Sequence, residues 1–560
     1  MAYAITQTCC NDASCVSVCP VNCIHPTPDD PDFGTTDLLY IDPKACIDCG
    51  ACVDACPVDA IFPVDRLRGS DTVYAELNRQ YYDTREGDNA WGAPHFPQAV
   101  PDGSEDLRIA VVGTGPAASY TAQALLRATG ASVTMIDRLP VPGGLVRFGV
   151  APDHTSTKRI GDSFAGLFRH PRVRVHMNVE AGKHVTAAEI AAHHHAVVYA
   201  VGAATDRALG IPGEDLPGSL PATAFVGWYN AHPGMAATAV DLSAERAVVV
   251  GNGNVALDVA RILVSDPERL AATDIADHAL AALRDSGVRE VVLLGRRGPD
   301  QAAFTGPEFL ALTHLPGVEV VVDDADPHTR AALAAARPGS TAALLRGVPA
   351  RGVDLAAAPA PGKRIVFRFF TAPTQVIGDG RVEALRVAGT RPAAGAADGP
   401  VTVERTGAEE TVAAGLLVRS IGYRSSPVPG LPFDAARATV PHRGGRVVDP
   451  ATGEPLAGTY VVGWIKRGPS GGIGTNRTCA AETVDALLAD AAAGRLPRPV
   501  GTAREFARLV RRRRPSAIGR RQVLAIDQAE RRLGERAGRL RVKFATVPEL
   551  LRATRRPGPR

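Results

Sequence analysis

The sequence predicts an α/β protein built on two Rossmann-like dinucleotide-binding domains, one inserted into the other, preceded by a small α+β domain. Three observations predict it. Glycine fingerprints open βαβ units at Gly113 and Gly251, two short apolar segments (197–203 and 417–424) end in glycine turns, and nine of ten cysteines fall before residue 57. The 560 residues are 45% hydrophobic and 22% charged, enough for about three to four domains with ordinary cores and unlike a disordered chain. No run approaches the roughly 20 apolar residues of a membrane helix, and the opening MAYAITQTCC lacks a basic region followed by an apolar one. Neither membrane spanning nor secretion is expected.

The first element, residues 1–66, is set by its cysteines. A disulfide framework would not leave the rest of the chain almost without cysteine, so the crowding points to metal. Cys46, Cys49, Cys52 and Cys56 follow C-x2-C-x2-C-x3-C-P without deviation, the run that bacterial ferredoxins use for iron–sulfur ligation. In that pattern three thiolates wrap one cubane and the Cys before Pro reaches the other cluster. Cys46, Cys49 and Cys52 then join Cys19 on a [4Fe–4S] cluster, while Cys56 returns to the first cluster with Cys15 and either Cys9 or Cys10. The first run lacks its middle cysteine. Three ligands suit a [3Fe–4S] cluster, preferred here over a second [4Fe–4S]. Cys23 is spare, either a neighbouring thiol or a fourth ligand. A zinc ribbon is the alternative for C-x2-C pairs, but zinc sites rarely need a C-P after each half and a doubled run. Reduced, cluster-bearing cysteines predict a cytoplasmic protein.

Residues 67–106 read as a linker that packs in part, mixed in charge with Gly, Pro and aromatics (Tyr81, Tyr82, Trp91). The second element, residues 107–203, begins with an apolar strand at 108–112. Gly113 allows the tight turn, Gly115 lets backbone amides approach a pyrophosphate, and the following helix N-terminus favours its charge. A second strand at 132–136 ends in Asp137, placed to hold a ribose hydroxyl.

The third element, residues 204–424, repeats the unit. A strand at 247–250 leads into Gly251, Asn252, Gly253, Asn254 and Val255, and the strand 290–294 ends in Gly295, Arg296 and Arg297. An acid at that point selects the free 2′-hydroxyl of NAD, whereas arginines accommodate the 2′-phosphate of NADP. The second site therefore reads as NADP(H) and the first, with its acid, as FAD. The segments 197–203 and 417–424 would carry the chain out of the FAD domain and back. The last element, residues 425–560, returns to the FAD domain with the glycine-rich 461–476, where Trp464 is an aromatic neighbour for flavin or nicotinamide.

Charge is polarised. Residues 1–66 carry ten Asp against Lys44 and Arg66, a balance of −8, and residues 501–560 carry 18 basic residues against five acids, a balance of +13. A basic tail often meets nucleic acid or an acidic partner. Here the expected partner is the acidic domain at the other end of the same chain, lying against an arginine-rich surface.

The strings GTGPAAS, PVPGGLVRFGVAPDH, GNGNVALDVARIL, GRRGPDQAAFT and GWIKRGPSGGIGTN resemble adrenodoxin-reductase-type ferredoxin–NADP reductases, and the first 66 residues resemble a bacterial seven-iron ferredoxin. The resemblance implies FAD contacts at Ala117, Asp137, Leu145, Ala181, Trp464, Gly471, Gly472 and Ile473. It implies NADP contacts at Asn252 to Val255, Arg296, Arg297, Glu308 and Gly471. Asp137 stands where many relatives have Glu, and Ala181 where relatives have Val. His154 and Asp258 fall where the family keeps a polar pair near the flavin, as proton or orientation groups or as structural hydrogen-bonding partners.

The expected reaction is hydride transfer between NADPH and FAD, then single-electron transfer to the fused clusters, an external ferredoxin or another one-electron acceptor. FAD is the coupler because NADPH carries two electrons and a cluster accepts one at a time. Two rivals are a glutamate-synthase-small-subunit-like electron-input flavoprotein and, more remotely, a nucleic-acid-binding redox sensor anchored by its arginine tail. The sensor would leave both fingerprints unemployed.

Overall fold

The structure, a computed structural model, describes residues 2–83, 85, 89, 103–235, 238, 240–393 and 401–554. Trp91 lies outside the described residues. Among the described residues no helix is long and apolar enough to cross a membrane.

Two open sheets carry the molecule. The first runs in the order His442–Arg443, Arg446–Val448, Pro455–Val461, Ala196–Tyr199, Arg108–Val112, Ser132–Asp137, Val173–Met177, and its last five strands are parallel. Runs such as RIAVV and AVVY are apolar throughout because both faces of a parallel sheet are covered, and their residues are buried almost without exception. The second sheet is wholly parallel, in the order Ser219–Pro221, Leu416–Arg419, Arg246–Val250, Glu290–Leu294, Lys363–Arg368, Val318–Asp323. Strands Thr371–Ile377, Ala384–Pro392 and Val403–Ala413 add an antiparallel sheet. Between the two open sheets Thr205–Asp206 pairs antiparallel with Tyr423–Arg424. The outgoing and returning chains thus run side by side. In each open sheet the glycine turn leaves the carboxyl end of a central strand, where α/β sheets form their ligand crevice.

The cysteine domain pairs Tyr3–Ile5 with Ile61–Pro63 and Ile24–His25 with Tyr40–Ile41. Its packing extends past residue 66. The helix Val73–Asp83 lies on it, with the Asn78 carboxamide accepting from Ile5 and Ile41 N–H and donating to Ile5 O. Tyr82 donates to Cys23 O, and Tyr81 stacks on Tyr40. The stretch read as linker from residue 67 therefore starts as part of the domain, because Tyr and Asn side chains tie it to strand edges.

The basic tail does not meet the acidic domain in any described contact. It forms helices Ala503–Arg513, Arg520–Arg536 and Val547–Ala553 that close over the first sheet. Arg513 pairs with Glu189, Arg514 donates to Asn178 O, and Arg520 donates to His170 O and Val173 O. Arg541 pairs with Glu530 and Asp527, and Lys543 with Asp274. These cations cap strand ends and carboxylates of the chain's own reductase portion, which overturns the expectation of a tail-to-ferredoxin contact.

The acidic domain instead docks through a few specific groups. Gly474 N–H donates to Cys10 O (2.8 Å), and Arg477 donates to Asp12 O (2.9 Å) and Ser14 Oγ (2.8 Å). Gly306 N–H donates to the Asp37 carboxylate (2.8 Å), and Arg159 pairs with Asp59. One continuous apolar core joins Cys10, Ala13 and Cys15 to Tyr120 and Ala117 of the first dinucleotide fold.

Candidate functional site

The two glycine turns are built alike. Gly113 has φ +116°, and a Cβ there would lie 2.4 Å from Ala200 O; Gly251 has φ +120°, and a Cβ there would lie 2.1 Å from Ser420 O. Both demand glycine. The second glycine of each turn faces open space, its would-be Cβ meeting nothing nearer than 3.8 Å at Gly115 and 3.9 Å at Gly253. Helices Pro116–Ala128 and Asn254–Val264 start there, so each presents its N-terminal N–H groups toward that open side, as a pyrophosphate site requires. Both turns fit a dinucleotide.

Around the first turn, Asp137 accepts from Thr114 Oγ1 (2.5 Å) and Leu139 N–H (2.9 Å). Removal from water raises its carboxyl pKa despite these donors. Ala117 touches the glycine just past strand Pro455–Val461, a Cβ on Gly463 being only 2.6 Å away. Leu145 opens the short helix Leu145–Phe148. Ala181 lies beyond Val179, whose N–H donates to Asp137 O, and so borders the same strand end. Trp464 packs its ring 5.5 Å from Tyr423 and donates to Ser470 O. Gly471, Gly472 and Ile473 follow on the exposed loop that meets the cysteine domain at Gly474.

Around the second turn, Asn254 accepts from Thr305 N–H (2.8 Å), and Asn252 and Val255 are half-buried beside it. Arg296 is exposed and Arg297 half-buried. Among the described residues neither guanidinium has a carboxylate partner. They are free to take an anion.

Between the turns the structure brings three predicted residues together. One ligand-type atom each from His154, Asp258 and Glu308 lie within 4.8 Å of one another, with His154 Nε2 3.6 Å from Glu308 Oε2. The buried Arg261, which sequence reasoning missed, ties the acids together: it pairs with Asp153 (2.7 Å), Asp258 (2.7 Å) and Glu308 (3.5 Å). Burial alone would lift the Asp153 carboxyl, but Arg261 brings it below its ordinary value. Burial holds Glu308 above its own. An arginine inside an acidic cluster supplies the positive charge that a metal would otherwise bring. The only sequence signal for Arg261 was its place one turn after Asp258 on the same helix (i, i+3).

The thiols form two groups. Cys19, Cys46, Cys49 and Cys52 line one cavity, and Cys23 lines it too, its sulfur 3.5 Å from that of Cys19. Cys9, Cys10 and Cys15 each have Cys56 as an electrostatic neighbour, and none of these four thiols lines that cavity. Cys10 carries the docking carbonyl, and Tyr120 of the reductase portion feels its sulfur.

The chain matches the family described as pyridine nucleotide-disulphide oxidoreductase over residues 107–293 and the 4Fe-4S binding domain over residues 39–62. It is 50% identical over 564 residues, 99% of this chain and 95% of the relative, to the probable ferredoxin/ferredoxin–NADP reductase of Mycobacterium tuberculosis (strain ATCC 25618 / H37Rv). The chain belongs to the ferredoxin/ferredoxin–NADP reductase family. Similarity also extends to the mitochondrial NADPH:adrenodoxin oxidoreductase of Salvelinus fontinalis, 39% identical over 474 residues covering 80% of this chain and 91% of that one. The solved structure of Mycobacterium tuberculosis FprA in complex with NADPH superposes with a TM-score of 0.73 at 45% identity, covering 80% of this chain and 99% of that chain. As a member of this family the chain is a flavoprotein oxidoreductase with an iron–sulfur domain, and the zinc alternative falls away.

Proposed function

We propose that this chain moves electrons between NADPH and the iron–sulfur clusters of its own N-terminal domain, with FAD at the first turn and NADP(H) at the second. The observation that carries the reading is the seating of residues 10–14 on residues 474–477, which puts a cysteine loop directly against the segment expected to face the flavin. Bound FAD supplies the coupling of a two-electron hydride to single-electron steps.

The residues' parts follow from their chemistry. Asp137 accepts from a ribose hydroxyl, while Gly115, Ala117 and Leu145 line the pyrophosphate path beside the first helix N-terminus. Ala181, Trp464, Gly471, Gly472 and Ile473 complete the FAD contacts. Asn252, Gly253, Asn254 and Val255 hold the second pyrophosphate, and Arg296 with Arg297 grips the 2′-phosphate. Glu308 and Gly471 border the nicotinamide. His154 and Asp258 orient the reacting rings or hold a proton near them, positioned by Arg261. Cys19, Cys46, Cys49 and Cys52 ligate a [4Fe–4S] cluster. Cys9, Cys15 and Cys56 ligate a [3Fe–4S] cluster, with Cys10 as the alternative to Cys9. Residues 107–203 and 425–560 form the FAD domain and residues 204–424 the NADP domain. An external ferredoxin or another one-electron acceptor completes the path.

Anaerobic titration with NADPH, followed by flavin absorbance and cluster EPR together, tests this. Flavin bleaching followed by the loss of a three-iron signal is expected. Flavin that stays oxidised, or an as-isolated protein with zinc and no cluster signal, would overturn it.

A further inference from the structure

The two halves of the cysteine domain meet different surroundings. The half bearing Cys10 and Cys15 is buried against the reductase portion, and the acids Asp12, Asp37 and Asp59 are engaged there. The other half reaches solvent at its rim, although Cys19, Cys23 and Cys52 are buried. Cys49 is exposed, Ile47 between two cysteines is 58% exposed, and Val18 next to Cys19 is 41% exposed. Ile47 and Cys49 line the same cavity, and Asp48 and Asp54 are exposed beside them. These apolar side chains stand partly exposed at the edge of a thiol site, and an apolar centre with a charged rim is the pattern of a transient protein interface.

We infer that the surface around Ile47, Val18 and Cys49 is the docking face for a separate one-electron redox protein with a basic rim. The domain's charge selects that partner: it carries −8 over residues 1–66, and Asp54 on this face is not among the acids described against the reductase portion. The inference rests on the proposed function and specifies which face it uses. The reaction balances as one NADPH yielding NADP+, one proton and two electrons, taken up singly by two acceptor molecules.

The test uses the oxidised, fully loaded protein with cytochrome c, a basic haem protein, as the probe. Binding is measured by calorimetry at low salt, and contacts are mapped by carbodiimide cross-linking and mass spectrometry. Cross-links at Asp48 and Asp54 are expected, with Ile47→Lys and Asp54→Lys each weakening binding about tenfold. Val500→Lys, at an apolar residue 94% exposed elsewhere, should change nothing. Iron content and EPR of each variant show that the thiol site is intact, and Asp54→Lys carries the test if Ile47→Lys loses iron. Cross-links confined to residues 107–554, or unchanged binding by both variants, would overturn the inference. So would a dimer in sedimentation that Ile47→Lys abolishes, since the face would then belong to a second copy. Failure of the proposed function reads differently, as clusters that NADPH leaves oxidised.

Discussion

At Gly113 and Gly251 the chain makes the same turn twice, and the two sites part company one strand later. Each first glycine lies too close to the carbonyl of a neighbouring strand's exit (Ala200 O, Ser420 O) to carry a side chain, and each second glycine opens a helix N-terminus. After the next strand, the first site offers a carboxylate already held by Thr114 and Leu139. The second offers two guanidinium groups with no described carboxylate partner. The turn is therefore generic machinery for a pyrophosphate, and the choice of nucleotide sits in a few side chains at the following strand end.

The largest expected effect comes from breaking the shared part. Gly113→Ala and Gly251→Ala each force a side chain into a left-handed turn and a carbonyl, costing about 3 kcal/mol or more of local stability. Absorbance and thermal melting should show that the first loses flavin while the second keeps flavin and loses NADPH binding. Equal flavin loss in both would break the comparison. Next is the part that differs. Arg296→Glu with Arg297→Glu should raise KM for NADPH about 100-fold, roughly tenfold for each lost charge-assisted contact, and leave NADH kinetics nearly unchanged. A parallel loss for NADH would mean that the arginines hold the fold rather than the 2′-phosphate.

A smaller effect is expected at Asp137. Its raised pKa means that the folded apoprotein binds a proton more tightly than the unfolded chain, so this group's contribution to stability falls as pH climbs through the raised pKa. Ribose binding needs the ionised acceptor, so FAD affinity should move the opposite way and weaken on acidification, starting above the pH at which an ordinary Asp would titrate. Asp137→Asn should lower FAD affinity about tenfold and flatten that profile, read by fluorescence of released flavin. The smallest effect belongs to the seam with the cysteine domain. Arg477→Ala removes two donors to residues 12 and 14, about 1 kcal/mol. It should raise hydrogen exchange over residues 9–15 without changing flavin content.

Much of this was legible without coordinates where the signal is local. The C-x2-C-x2-C-x3-C-P run, the glycine turns and the runs of β-branched residues are patterns in which neighbours along the chain set the backbone, and they identified the fold class that the structure displays. Less legible was anything requiring two distant segments. The Tyr81 and Tyr82 that looked like linker are anchors to Tyr40 and Cys23, since a helix of polar residues reads as solvated until its partner strand edge is known. Arg261 looked like one more helix arginine, yet it is the buried cation at which Asp153, Asp258 and Glu308 converge.

The sequence by itself determined the thiol spacing, both nucleotide turns and the acid-versus-arginine contrast, because covalent spacing of a few residues dictates local geometry and chemistry. Only the tertiary structure decided which cysteine loop faces the reductase portion and where the basic tail lies. Net charge drives long-range attraction in proportion to its screened field, and on that count the +13 tail and −8 domain should meet. Docking is decided at contact distance, where backbone donors of Gly474 and Gly306 match Cys10 O and Asp37, while tail arginines such as Arg514 and Arg520 are bonded to backbone carbonyls of the reductase portion.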